Sequence, residues 1–235
     1  MIYKLYYIII ESYVKIRSFI LCALLRLIGL KIGRNIKFYG KLKLKLNGKP
    51  SQIEISDNVV FAGAVDLRNR ENGSIKIGKN CFFDDGLRLV SANNSVLQIG
   101  DRTAVGLELI INAGDNVTIG ADCMFSSHIN IHSSTHLCKI NKTISEQGYD
   151  QKPVCIGEDV WVASNVNILY GSIIGDQCIV APNSLVHGTF REKSVLCGVP
   201  VVVVSKRNMT LDPLKQLADS SNYYNSLCHQ VINKL

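Results

Sequence analysis

A six-residue spacing of aliphatic side chains governs the middle of this 235-residue chain. Aligned on the residue that opens each copy, it reads IEISDNVVF at Ile53, IKIGKNCFF at Ile75, LQIGDRTAV at Leu97, VTIGADCMF at Val117, VCIGEDVWV at Val154 and SIIGDQCIV at Ser172. The anchors Ile55, Ile77, Ile99, Ile119, Ile156 and Ile174 are 22, 22, 20, 37 and 18 residues apart. The unit is therefore eighteen residues, with insertions of four, four, two, nineteen and none. It subdivides into sixes at Ile156, Val162 and Ile168, and again at Ile174, Val180 and Val186. An amphipathic α-helix would repeat its apolar face near every 3.6 residues and an antiparallel strand about every two. A period of six with Gly, Asn and Asp after each anchor predicts an all-β fold: three short strands per turn of a coil, with polar corners. Each side is expected to turn one aliphatic residue inward. Stacked coils then bury continuous columns that no single coil could bury.

The cysteines follow the same register. Cys81, Cys123 and Cys178 fall four residues after their anchors, the phase held elsewhere by Val59, Thr103 and Val160. They are predicted to be small core residues, because the eight cysteines form no CxxC pair and unoxidised cysteine is among the most buried residue types. A reducing, cytoplasmic compartment is consistent with this.

The net charge of +7 is unevenly placed. Residues 1–50 hold eleven Lys and Arg against the single acid Glu11; the other 15 basic and 18 acidic residues give net −3. A basic segment rich in Tyr, Ile and Leu, unlike a uniformly basic domain, argues for anionic membrane surfaces or other polyanions and against nucleic acid. In residues 1–31 the longest uncharged run is the eight residues Ser18 to Leu25, far short of the ~20 that span a bilayer. Two placements stay open: an amphipathic helix lying peripherally on the inner membrane face, or a helix docked on its own domain or on a sister subunit. KLKLKL at Lys41 to Leu46 alternates like a first strand with one solvated cationic face. Leu227, Val231 and Leu235 are helically spaced. The expected organisation is a helical segment over 1–31, a β-helix domain over 32–204 and a partly helical tail over 205–235.

The hexads, the run IGEDVWVASNVNILYGSIIGDQCIVAPNSLV from Ile156 to Val186 and the tail CGVPVVVVSKR resemble the hexapeptide-repeat acyltransferases over about residues 53–207. That resemblance implies a left-handed parallel β-helix. The chain is most similar to the sugar and polysaccharide O-acetyltransferases, whose I-x-T-A-x-H segment is matched by IHSSTH from Ile131 to His136. His136 takes the place of the catalytic histidine, and the insertion near 137–153 that of a loop covering an active site between the subunits of a homotrimer. The resemblance further implies acetyl-CoA as donor and a carbohydrate acceptor, a bacterial surface polysaccharide of capsule or O-antigen type or its precursor. Gly198 stands in the family's G-N-P-A motif, and Ala163 and Ala181, one coil apart, lie where small residues let a pantetheine arm approach. Lys206 and Arg207 take positions that contact the phosphates of CoA, although adjacent cations in a tail are also commonly just solvated. Trp161, the only tryptophan, reads either as wall packing or as a neighbour of the pantetheine or the acceptor sugar.

Acetyl transfer to an alcohol needs a base that works near neutral pH, and histidine suits that task. Ser133, Ser134, Thr135 or a backbone carbonyl would fix the His136 tautomer. His128, His132 and His136 are spaced by four, which on a helix would align them for a metal. On a coil the spacing spreads them along a side and round a corner with no Cys or acid to complete a shell, so no metal is expected. His128 and His132 then read as corner or groove residues that contact the acceptor. The competing functions are N-acetylation of an amino sugar nucleotide with the same base and donor, and a non-acyltransferase β-helix, either a γ-carbonic-anhydrase-like metalloenzyme or a scaffold.

Overall fold

The computed structural model describes residues 2–207. Within them the six-residue period becomes the three faces of a left-handed parallel β-helix. Face A stacks eight strands from Lys31–Ile32 to Thr189–Phe190, face C seven from Leu42–Leu46 to Leu185–Val186, and face B nine from Lys37–Phe38 to Val201–Lys206. Pairing within the faces is parallel except for the last strand of face B, which runs antiparallel to Ser194–Gly198. The anchors stack directly: Ile55 opposes Ile77, Phe61 opposes Phe83, and Leu67 opposes Leu89.

Each side turns two residues inward, not the one expected. Ile53 and Ile55, Val59 and Phe61, and Val65 and Leu67 are all buried, because side chains along a strand alternate and an in-out-in triplet fits beside each corner. Phe38, Phe61 and Phe83 form an aromatic stack in the lower coils, with centroids 4.9 and 5.3 Å apart. Cys81, Cys123 and Cys178 are buried in the predicted column. Their thiols donate to the carbonyls of Gly100, Gly157 and Arg191 at 3.1–3.2 Å.

The corner between faces A and B explains the Ile-Gly pairs. A Cβ on Gly120 would lie 2.5 Å from the carbonyl oxygen of Gly157 in the coil above. Two residues on, Asp122, like its counterparts Asn80, Arg102 and Asp159, adopts positive φ, and its N–H donates to Asp101 O at 2.9 Å in the coil below. The corner between faces B and C is locked similarly by Glu108, His128, Asn165 and Asn183, all at positive φ.

All the insertions fall at the third corner, between faces C and A. In the coil that begins at Ile55 the steps to Phe61, Leu67 and Ile77 are six, six and ten residues. In the coil from Ile119 the steps to Phe125, Ile131 and Ile156 are six, six and twenty-five. One edge of the prism thus absorbs every change in coil length.

Below the first repeat read from the sequence lies one more coil. Lys31–Ile32, Lys37–Phe38 and Leu42–Leu46 are its three sides, and the pair Ile32–Gly33 was its signal in the sequence. Helix α1, Ile2–Leu27, covers this coil. It buries Val14, Ser18, Cys22 and Leu25, a helical stripe. The coil beneath would otherwise end in unpaired backbone groups. Arg17 donates to the carbonyls of Phe38, Tyr39 and Gly40 at 2.7–3.2 Å, the Phe38 N–H donates to Ser18 Oγ at 2.9 Å, and Arg26 reaches the carbonyls of Ile32 and Gly33. One face of α1 is therefore docked on its own domain. Among the described residues no helix is long and apolar enough to cross a membrane. Ser205 and Lys206, expected in the tail, continue the last strand of face B. The helix expected from the spacing of Leu227, Val231 and Leu235 lies outside the described residues.

Candidate active site

The nineteen-residue insertion is an ordered arm. Ser134–His136 pairs antiparallel with Tyr149–Gln151, placing His136 opposite Tyr149, and a turn of helix, Ile144–Gln147, forms the tip. The tip is tied by its own polar side chains. The Thr143 N–H and hydroxyl donate to Glu146 at 3.2 and 2.7 Å, holding that carboxyl below the usual range, and the Gln147 amide bonds Lys139 and Lys142. At the root, Ser133 Oγ donates to Asp115 O at 2.7 Å and accepts from Asp115 N at 3.0 Å, while Lys152 N donates to Ser133 O at 3.1 Å. Gly114 is required here, because a Cβ would lie 2.9 Å from Ser134 Cβ and Oγ.

His136 is exposed on this arm, with its ring tilted 40° to Tyr149 at a centroid distance of 4.5 Å. Tyr149 also lines a cavity of about 280 Å³ that opens between the arm and the corner insertions of the lower coils. Tyr149, Ser134 and Gln151 form one wall and Arg70, Asn93 and Asn112 the other. Its size and mixed polar and apolar lining suit a sugar-sized group. No hydrogen bond reaches the His136 ring nitrogens among the described residues. The Ser133 hydroxyl, one of the groups expected to orient the imidazole, is occupied by Asp115.

The other two histidines go elsewhere. His128 sits at the corner between faces B and C, with Nδ1 2.9 Å from Glu108 Oε2. His132 points outward from face C, with Nδ1 3.4 Å from the Asn112 amide; burial pushes its pKa below the ordinary imidazole value. His132 thus approaches the cavity through Asn112, and His128 lies at a different corner. Among the described residues no group of three His, Cys, Asp or Glu is placed to hold a metal.

The residues matched to donor contacts lie on face B and its two edges. Trp161 projects outward there between Met124 and Ile179. Ala163 and Ala181 are buried one coil apart at the edge towards face C, where the Gly198 N–H donates to Ser184 Oγ at 3.2 Å. Lys206 and Arg207 lie at the opposite edge. Lys206 Nζ donates to Glu192 O and Ser194 Oγ at 3.2 and 3.1 Å, and Arg207 Nη1 meets Asp159 Oδ2 at 3.0 Å. Within one chain, then, His136 and these residues occupy different sides of the prism. Tyr149, Asp115 and Gly114 were not singled out from the sequence. Their roles arise from contacts across the arm, which no spacing in the hexads encodes.

The chain is similar in sequence and in fold to known proteins. The sequence profile of the bacterial transferase hexapeptide family (six repeats) matches residues 156–188. The putative lipopolysaccharide biosynthesis O-acetyl transferase WbbJ of Escherichia coli (strain K12) is 32% identical over 147 residues, 59% of this chain and 75% of that protein. The probable acetyltransferase Rv3034c of Mycobacterium tuberculosis (strain ATCC 25618 / H37Rv) is 28% identical over 66% of this chain, which spans about half (53%) of that relative's length. In fold, the chain superposes on AntD, an N-acyltransferase from Bacillus cereus, with a TM-score of 0.58 at 17% identity, covering 87% of this chain and 96% of AntD. It superposes on the polySia-specific acetyltransferase NeuO with a TM-score of 0.54 at 19% identity, covering 83% and 91%. With three quarters of an O-acetyltransferase relative aligned above 30% identity on a hexapeptide prism, the chain belongs to the hexapeptide-repeat acetyltransferases, a family of acetyl-transferring enzymes.

Proposed function

We propose that the protein is an acetyl-CoA-dependent O-acetyltransferase that acts on a sugar hydroxyl of a bacterial surface polysaccharide or its precursor, with His136 as general base. The observation that carries this is His136 itself, held on an ordered arm against Tyr149, a residue that lines the adjoining cavity. The O-acetyltransferase relatives support the acceptor class.

The imidazole of His136 takes the proton of the acceptor hydroxyl as its oxygen attacks the thioester carbonyl. The tetrahedral intermediate collapses with cleavage of the carbon–sulfur bond, and the thiolate of CoA leaves and recovers that proton. The stacked Ala163 and Ala181 leave room for the pantetheine arm along face B, with Gly198 beside them, Trp161 on the same face, and Lys206 and Arg207 at its far edge to meet phosphates.

One chain separates the base from these donor-side residues. A head-to-tail threefold arrangement, which presents one side of each protomer to a different side of the next, would join them and make the active site intersubunit. It would also let a neighbour supply the group that orients His136. Acetyl-CoA as donor fits a cytoplasmic enzyme.

The test is mass spectrometry of candidate polysaccharides incubated with acetyl-CoA and either the wild type or His136→Ala. An acetyl gain labile to mild base and lost in the variant is expected. Full transfer by the variant would remove His136 from the chemistry, and a base-stable gain would indicate an amide, hence N-acetylation.

A further inference from the structure

Only one side of α1 is used by the prism. Phe19, Ile20, Leu24 and Leu27 are 74, 53, 54 and 83% exposed, and every residue from Tyr3 to Ile10 stands in solvent beyond the first buried position, Val14. A contiguous apolar surface on that scale is unusual for a monomer and marks a contact site. Alongside it, between α1 and the strand Leu42–Leu46, runs a groove of about 580 Å³. Its walls are apolar, from Tyr13, Ile16, Ile20, Leu24 and Leu42, and its cations are Arg17 and Lys41.

Charge selects the occupant. Residues 1–50 carry net +10, and Lys4, Lys15, Lys41 and Lys45 all project into solvent around the apolar surface. Pairing this face with a second copy would set two such fields against each other, whereas anionic headgroups would neutralise them. Tyr3, Tyr6, Tyr7 and Tyr13 are amphipathic rings of the kind that sit at headgroup depth. The apolar side chains between the cations supply the part that enters the acyl boundary.

We propose that the outer face of α1, together with the cationic strand beside it, docks the protein on an anionic phospholipid bilayer. The helix lies in the interface plane and the groove receives acyl chains. Docking leaves Arg17 bound to the first coil, so the prism is carried to the bilayer as a rigid body and α1 need not unfold from it.

The test is co-sedimentation of the purified full chain with vesicles of phosphatidylcholine alone or mixed with phosphatidylglycerol, at low and high salt. Binding to the mixed vesicles at low salt, at least about tenfold above binding to neutral ones and reduced by salt, is expected. Ile20→Glu/Leu24→Glu should abolish it and Lys4→Glu/Lys41→Glu should weaken it by about tenfold or more. All four side chains are exposed, and circular dichroism would show the fold retained. Absence of binding to the mixed vesicles would overturn the proposal. So would equal binding to both vesicle types with no effect of the lysine variants. If Ile20→Glu/Leu24→Glu instead dissociated an oligomer and left vesicle binding unchanged, the face would be a subunit interface and the proposal wrong. Acetyl transfer to a soluble acceptor reads the proposed function separately from all these outcomes.

Discussion

Asp115 and Ser133 are hydrogen-bonded to each other twice, the Ser133 hydroxyl donating to the Asp115 carbonyl at 2.7 Å and accepting from its N–H at 3.0 Å. This clasp joins the fourth coil to the root of the arm, and Ser133 is fully buried. Ser133→Ala leaves two backbone groups without their partner, so chemical denaturation should show a loss of about 1–3 kcal/mol. Acetyl transfer should fall as well, since the arm carries His136. Unchanged stability would mean that water replaces the hydroxyl without cost.

Tyr149 meets His136 through its ring, 4.5 Å away, and no hydrogen bond joins the two. Tyr149→Phe keeps that face and should leave kcat near the wild-type value. Tyr149→Ala frees the imidazole to sample other rotamers and should lower kcat by up to about 10²-fold. Equal effects of the two substitutions would show that the phenol hydroxyl, and not the ring, matters.

His132 is held neutral by burial, with its folded pKa below the ordinary imidazole value. Between that lowered value and about 6.5 the unfolded chain binds more protons than the folded one, so stability falls as pH drops through this window and is complete above it. His132→Gln should flatten the stability profile over those pH values in denaturant titrations. An unaltered acid slope would assign the loss to other groups.

Thiol reactivity should divide the cysteines cleanly. Burial pushes the thiols of Cys81 and Cys123 up to about 11 and raises that of Cys178, whereas Cys138 and Cys155 are exposed. A maleimide at neutral pH should label Cys138 and Cys155 in the native protein and the other three only in denaturant, as peptide mapping would read. Native labelling of Cys123 would contradict the inward column.

Much of this was legible in the chain because a stacked coil repeats its demands. Ile99 and Ile119 oppose each other, so the anchors keep one identity and one phase, and Cys123 inherits its burial from register alone. The arm was legible as a break in that register. Which corner held the smaller insertions was not, since four residues between Leu67 and Ile77 look the same in sequence wherever they bulge. Residues 1–31 admit two placements in sequence because α1 carries large apolar side chains on its outer side, such as Ile20 and Leu24, as well as on the side that docks, such as Val14 and Leu25. Periodicity therefore could not assign a docked side to it. Around His136 the limit was different: Tyr149 lies thirteen residues away in sequence and reaches the imidazole only because the arm folds back on itself.

The two corners locked by positive-φ residues, Asp122 at one and His128 at the other, have consequences for how such a protein can diverge. An extra residue there would break bonds to the coils on both sides, whereas the edge between faces C and A already holds bulges of several lengths. Under the proposed function, exchanging the segment between Ser133 and Lys152 is expected to change acceptor preference while the rungs above and below keep their pairing. A graft of another family member's arm at those two positions would test whether this chassis accepts a new tool without refolding.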